Sequence, residues 1–156
     1  MTTHPGERVP ASTTITREVR APAQAVWDVL ADGWLYPLWV VGAARMRDVD
    51  ADWPARGSKL HHSVGNWPIL IDDRTEVLEV IPGEVLTLKA HTWPLGAAEV
   101  VIGVEDRGPV SVVSIREDLV AGPGVAVPRP LRQVALGPRN RESLRRLAFL
   151  AEGRAH

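Results

Sequence analysis

The sequence predicts an α+β fold: an antiparallel sheet of about seven strands combined with a long C-terminal helix. Two observations carry this. From Gly42 to about Leu119 the helical period is absent, and short β-type runs alternate with turn signals. Near the end of the chain Leu144, Leu147, Ala148 and Ala151 fall at i, i+3, i+4 and i+7, the spacing of one helix face. With 156 residues, 45% of them hydrophobic, and no compositional break, the chain suits one compact core.

Taken in order, residues 1–11 carry Pro5, Gly6 and Pro10 among polar residues and read as a flexible tail, with the folded domain spanning residues 12–152. Thr14 to Arg20 is a first strand, with Ile15 and Val19 on the same parity. Pro22 fits the first position of a helix, where its missing N–H goes unused. Val26, Val29 and Leu30 give that helix an apolar stripe, and Asp32-Gly33 stops it before a short helix or turn from Trp34 to Trp39. Six further strands follow at about 42–50, 58–66, 69–81, 84–93, 97–106 and 110–119, and their short connections predict an antiparallel meander. In the 69–81 strand the apolar set changes parity between Val77 and Leu78, which predicts a bulge there. Ala121-Gly122-Pro123-Gly124 breaks the sheet and is a hinge candidate at a pocket entrance. Pro130 to Leu136 is a helical piece that Gly137-Pro138 is expected to interrupt or kink ahead of the final stripe.

Composition excludes several classes of function. There is no cysteine, so the chain has no disulfide framework, thiolate metal site or cysteine nucleophile, which fits a cytoplasmic location. The N-terminus lacks the apolar run of a signal peptide, and no stretch approaches the roughly 20 apolar residues that span a bilayer. With 18 basic and 19 acidic residues the net charge is −1, so neither a nucleic-acid partner nor stable membrane insertion is expected. No phosphate-binding glycine loop, G-x-G-x-x-G or G-x-S-x-G segment is present, and no cofactor is expected.

Several segments resemble the START-like, or SRPBCC, superfamily of polyketide cyclases and lipid-transport proteins. Arg20-Ala21-Pro22-Ala23-Gln24-Ala25-Val26-Trp27 is similar to its opening Pro and Val-Trp run, and Tyr36-Pro37-Leu38-Trp39 to its aromatic turn. Asp73 to Leu86, with Pro82-Gly83 at its turn, resembles the family's mid-chain hairpin. The resemblance covers about residues 12–152 and implies a helix-grip fold, in which a curved sheet wraps the C-terminal helix around a cavity. It further implies a small hydrophobic ligand, lipid or polyketide-like, bound in that cavity. The alternative is an aromatic polyketide cyclase or dehydratase that uses polar groups there. In the family the aromatic turn lies near the cavity mouth, which makes Tyr36 and Trp39 ligand-binding candidates. The resemblance also makes Arg74 a catalytic candidate, at the place of a cavity arginine that would stabilise a developing enolate, but parity places Arg74 on the face opposite Ile71, Thr75 and Val77.

Parity also nominates inward polar groups. His62 and Asn66 share the face of Leu60 and Val64, and Glu117 shares that of Val113, Ile115 and Leu119. An inward carboxylate needs a partner or a raised pKa. His62 and Glu117 are therefore candidates for a general acid/base pair, with Asn66 and Thr92 as further ligand contacts; the alternative is a hydrogen-bonded structural pair. His61-His62 and Asp72-Asp73 point to opposite faces of their strands, so no metal site is expected. Trp67 and Trp93, at strand ends, are candidates to stack on a flat ligand or to pack at the rim. The arginines at 129, 132, 139, 141, 145 and 146 read as a solvated helix face, with an anion or phospholipid-headgroup patch, a weak nucleic-acid contact or a partner-docking face as the alternatives. The expected state is a monomer or homodimer.

Overall fold

A computed structural model describes residues 14–66, 68–92 and 96–155, apart from the side chains of residues 44, 64–66, 69, 70 and 92. Seven strands form one open antiparallel sheet in the order β1-β7-β6-β5-β4-β3-β2. They are β1 (Ile15–Val19), β2 (Ala43–Val49), β3 (Lys59–Asn66), β4 (Ile69–Ile81), β5 (Val85–Thr92), β6 (Gly96–Arg107) and β7 (Val110–Ala121). β2 to β7 are a meander, and β1 closes on β7 with Ile15 opposite Ile115. Helices α1 (Ala23–Ala31) and α2 (Tyr36–Trp39) separate β1 from β2, and α3 (Arg129–Arg154) follows a 3₁₀ turn at Pro123–Ala126. This is a helix-grip architecture: α3 packs on α1, α2, β1 and β7.

Strand alternation builds the core. Leu60, Val77, Leu86, Leu88, Ile102, Val113 and Ile115 point from the sheet toward α3, where Leu144, Leu147, Ala148 and Ala151 form the facing stripe. Val26, Trp27, Val29 and Leu30 of α1 close one end. Pro22 sits one position earlier than expected, as the N-cap of α1. The bulge expected in β4 is present: Val77 pairs with Leu88 and Glu79 with Thr87, so Leu78 is the extra residue and the apolar parity changes there.

Of the interruption or kink expected at Gly137-Pro138, the interruption is absent, and α3 runs continuously through Pro138. Proline at 138 removes the bond to the carbonyl of Val134, a residue on the exposed side of the helix. Water can satisfy that carbonyl, so the helix continues.

Packing is tight where the 3₁₀ turn at Gly33–Leu35 crosses β2 and β3. A Cβ on Gly33 would lie 2.5 Å from Leu60 Cδ2 and 2.8 Å from Val49 Cγ1. Leu60 is fully buried and has no free space to move into. Gly33→Ala is expected to lower the unfolding free energy by about 2 kcal/mol, measured by urea denaturation; a neutral result would mean that this corner repacks freely.

Candidate functional site

Between the sheet and the first half of α3 lies a space lined by Tyr36, Trp39, Leu88, Val100, Glu117 and Arg139, among others. Its free volume is about 20 Å³, roughly room for one water. Apart from Glu117 of β7, the walls are apolar on the sheet side, and they are polar on the α3 side, where Asn140 and Ser143 join Arg139.

Tyr36 stands at one end of a buried polar chain centred on Thr75. Its hydroxyl lies 3.2 Å from Thr75 Oγ1, and His62 Nε2 lies 2.8 Å from the same oxygen. The chain exists because Leu60 and Thr75 pair directly across β3 and β4, which puts His62 and Thr75 on one face, one diagonal step apart. The Tyr36 ring stacks on the His62 ring at 5.5 Å and meets Trp39 edge-on at 5.4 Å. His62 is only 2% exposed, and its Nδ1 has no hydrogen-bond partner among the described residues. Burial pushes the His62 pKa down, with Asp73 opposing, and pushes the Tyr36 hydroxyl up.

Glu117, 3% exposed, forms the other polar cluster. Arg139 Nη1 approaches its carboxylate at 3.3 Å, while Arg139 Nε donates to the carbonyl of Val41 at 3.1 Å. Ser143 Oγ accepts from Val41 N–H, so α3 holds both polar groups of that loop residue. Gln133 Nε2 donates to the carbonyl of Glu117 at 2.9 Å. β1 pairs with β7 only as far as Ile115, so this carbonyl lies on a stretch of β7 that β1 does not cover, and α3 supplies the missing donor. Burial pushes the Glu117 carboxyl up, with Arg139 opposing.

His62 and Glu117 thus flank Tyr36 in separate networks, and no hydrogen bond or ion pair joins them among the described residues. Tyr36 and Trp39, expected near a cavity mouth, are buried wall residues. Arg74 is exposed on the outer face, where its backbone N–H bonds Asp73. The side chains of Asn66 and Thr92 lie outside the described residues, as do Trp67 and Trp93. His61 pairs with Asp50, away from His62, and no cluster of three potential metal ligands occurs among the described residues. The first half of α3 carries its own counter-ions: Arg132 binds Asp118 through Nε and Nη2, and Arg129 Nε lies 3.1 Å from Asp118 without hydrogen-bond geometry. Farther along, hydrogen bonds from Arg145 and Arg146 pull Glu142 down to about 2. The hinge candidate at Gly122–Gly124 leads into a turn tied to α3, because Arg132 Nη1 donates to the carbonyls of Val125 and Val127.

Thr75 and Arg139 carry these networks, and neither stands out as a site residue in the sequence. Thr75 has a signal, its inward parity between Ile71 and Val77. Arg139 has none beyond its place in an arginine-rich stretch, since the helix phase that aims it at Glu117 is set by docking.

A curved antiparallel sheet gripping a long C-terminal helix over a polar-lined internal space defines a helix-grip protein. The chain belongs to the family described as polyketide cyclase / dehydrase and lipid transport, whose profile matches residues 10–152. Among solved structures it is similar to the ZhuI aromatase/cyclase from Streptomyces sp. R1128, at 17% identity and TM-score 0.60, over 92% of this chain and 94% of that one. A conserved protein from Geobacillus kaustophilus matches at 14% identity and TM-score 0.68, over 92% and 96%. The di-domain aromatase/cyclase StfQ of the steffimycin pathway matches at 14% identity and TM-score 0.68, over 92% of this chain and 51% of that one. At these identities the likeness is one of fold. No curated protein matches.

Proposed function

We propose that this protein binds a small hydrophobic molecule carrying at least one oxygen acceptor, held between the sheet and α3 with its polar end at Tyr36. The observation that carries the reading is the Tyr36–Thr75–His62 chain beside the internal space. Threonine has one hydroxyl proton to share between two neighbours. With the imidazole proton on Nδ1, a buried N–H lacks an acceptor among the described residues. With it on Nε2, His62 donates to Thr75, Thr75 donates to Tyr36, and the remaining donor is the Tyr36 hydroxyl. That hydroxyl belongs to a residue lining a space with room for one water, so its proton can find a partner there that a ligand oxygen would replace.

A ligand larger than water enters by displacing the Arg139 side chain, which is 27% exposed and closes the space on the α3 side. The cyclase or dehydratase reading draws its support from the same donor and from Glu117, whose raised carboxyl suits proton transfer. The carrier reading is preferred because His62 reaches the space only through Thr75 and Tyr36.

Native mass spectrometry of the purified protein is expected to show adducts of apolar, oxygen-bearing compounds. Tyr36→Phe is expected to weaken binding of the most abundant adduct about tenfold, the worth of one hydrogen bond. A protein that carries no adduct and takes up neither fatty acids nor aromatic polyketones when offered them would overturn the reading.

A further inference from the structure

Large apolar side chains cluster on the surface where β7 passes into α3. Val120, Val125, Val127, Leu131 and Val134 are all exposed, Leu131 at 60% and Val134 at 73%. Val120 is outward by strand alternation, on the parity opposite Glu117 and Leu119, and it is also the extra residue of a bulge, since Ala97 pairs with Ala121 and Ala98 with Leu119. Arg132 holds the patch in shape, joining Asp118 of β7 to the carbonyls of Val125 and Val127 from the first turn of α3. An apolar face fixed by four side-chain hydrogen bonds is built, not frayed.

Two exposed arginines stand at the rim of this face, with Glu99 of β6 beside them, opposite Asp118. Arg116 shares the outward face of β7 with Asp118 and Val120, and Arg141 continues the α3 line of Leu131, Val134 and Pro138 at i+10, i+7 and i+3. Both arginines are exposed and have no ion-pair partner among the described residues. From 116 to 141 the chain carries five arginines against Glu117 and Asp118, although the net charge of the whole protein is −1.

We infer that this face docks on the surface of an anionic lipid bilayer, with Leu131 and Val134 entering the headgroup boundary and Arg116 and Arg141 lying against lipid phosphates. Charge argues against the other occupant, a second copy. In a two-fold contact the same patch meets itself, which would set unpaired arginines against one another. Docking here does not depend on the ligand proposed above.

The test is co-sedimentation with vesicles of pure phosphatidylcholine and of equimolar phosphatidylcholine and phosphatidylglycerol. The intact protein is expected to bind the anionic vesicles at least tenfold better than the neutral ones. Binding should fall several-fold at about 1 M salt, where the screening length shrinks to about 3 Å. Leu131→Ser with Val134→Ser is expected to lower binding at least tenfold, and Arg116→Gln with Arg141→Gln several-fold. Circular dichroism should be unchanged, since all four side chains are exposed. Absence of binding to anionic vesicles, or binding that both double variants retain, would overturn the inference. So would a dimer in analytical ultracentrifugation that Leu131→Ser with Val134→Ser dissolves, because that would assign the face to a second copy.

Discussion

Arg139→Ala is expected to lower the unfolding free energy by about 3 kcal/mol at neutral pH, the usual consequence of removing one partner from a buried ion pair. Glu117 is 3% exposed, and among the described residues Arg139 is the only cation paired with it. Without the guanidinium the carboxylate is left in the core facing Tyr36, Ile115 and Val100, and the Val41 carbonyl loses the Arg139 donor. The deficit should shrink at pH 5, because the folded chain can then protonate Glu117. Urea denaturation of Arg139→Ala at the two pH values measures this. Exchanging both partners for apolar residues, as in Arg139→Met with Glu117→Leu, should recover most of the loss. A deficit that is equally large at both pH values would show that Arg139 acts through packing and not through charge.

In the unaltered protein the two buried titratable groups work in opposite directions. Burial raises the Glu117 pKa above its ordinary 4.5. Between 4.5 and that raised value the folded chain binds more protons than the unfolded one, so stability falls as pH rises through the window. Burial lowers the His62 pKa below 6.5. There the unfolded chain binds more protons, so the His62 contribution is complete above 6.5 and is lost as pH falls toward the depressed value. Glu117→Gln removes the first slope and keeps an acceptor for Arg139. It should match or exceed the parent at neutral pH.

Most of the fold is legible in the sequence because it rests on local periodicity. Strand parity places Leu60, Val77, Val113 and Ile115 inward, and the parity change in β4 marks the bulge at Leu78. Pro138 is the exception. Its expected effect depends on whether the Val134 carbonyl can reach water, and that is a property of the docked helix. The site is legible only in part. The inward positions of His62 and Glu117 follow from alternation, but their partners come from β4 and α3, and no spacing rule connects residues across that separation. Burial of Tyr36 and Trp39 likewise depends on how α2 seats against α3.

Thr75→Val removes one oxygen from a fully buried position while nearly keeping the side-chain shape, which isolates the hydrogen-bond chain from packing. The valine methyl would stand where Oγ1 now meets two partners, the Tyr36 hydroxyl at 3.2 Å and His62 Nε2 at 2.8 Å. Each becomes a buried polar group without a partner, at about 1–3 kcal/mol apiece. The His62 ring, stacked on Tyr36 with Nδ1 already unpartnered, would have no hydrogen bond left at either nitrogen. A loss of about 3 kcal/mol is expected in urea denaturation, short of the full sum because the Tyr36 hydroxyl can turn toward the adjoining space. The coupling is the sharper measurement. Tyr36→Phe should destabilise the Thr75→Val protein less than it destabilises the parent, by about 1 kcal/mol, since the hydroxyl it removes is then already without its partner. The same pair of variants reports on the donor direction. If Thr75 orients the Tyr36 proton toward the ligand, Thr75→Val weakens ligand binding beyond its effect on stability, and Tyr36→Phe adds little further. If the two variants weaken ligand binding independently, Tyr36 does not take its orientation from Thr75, and the proton assignment on His62 Nε2 fails with it.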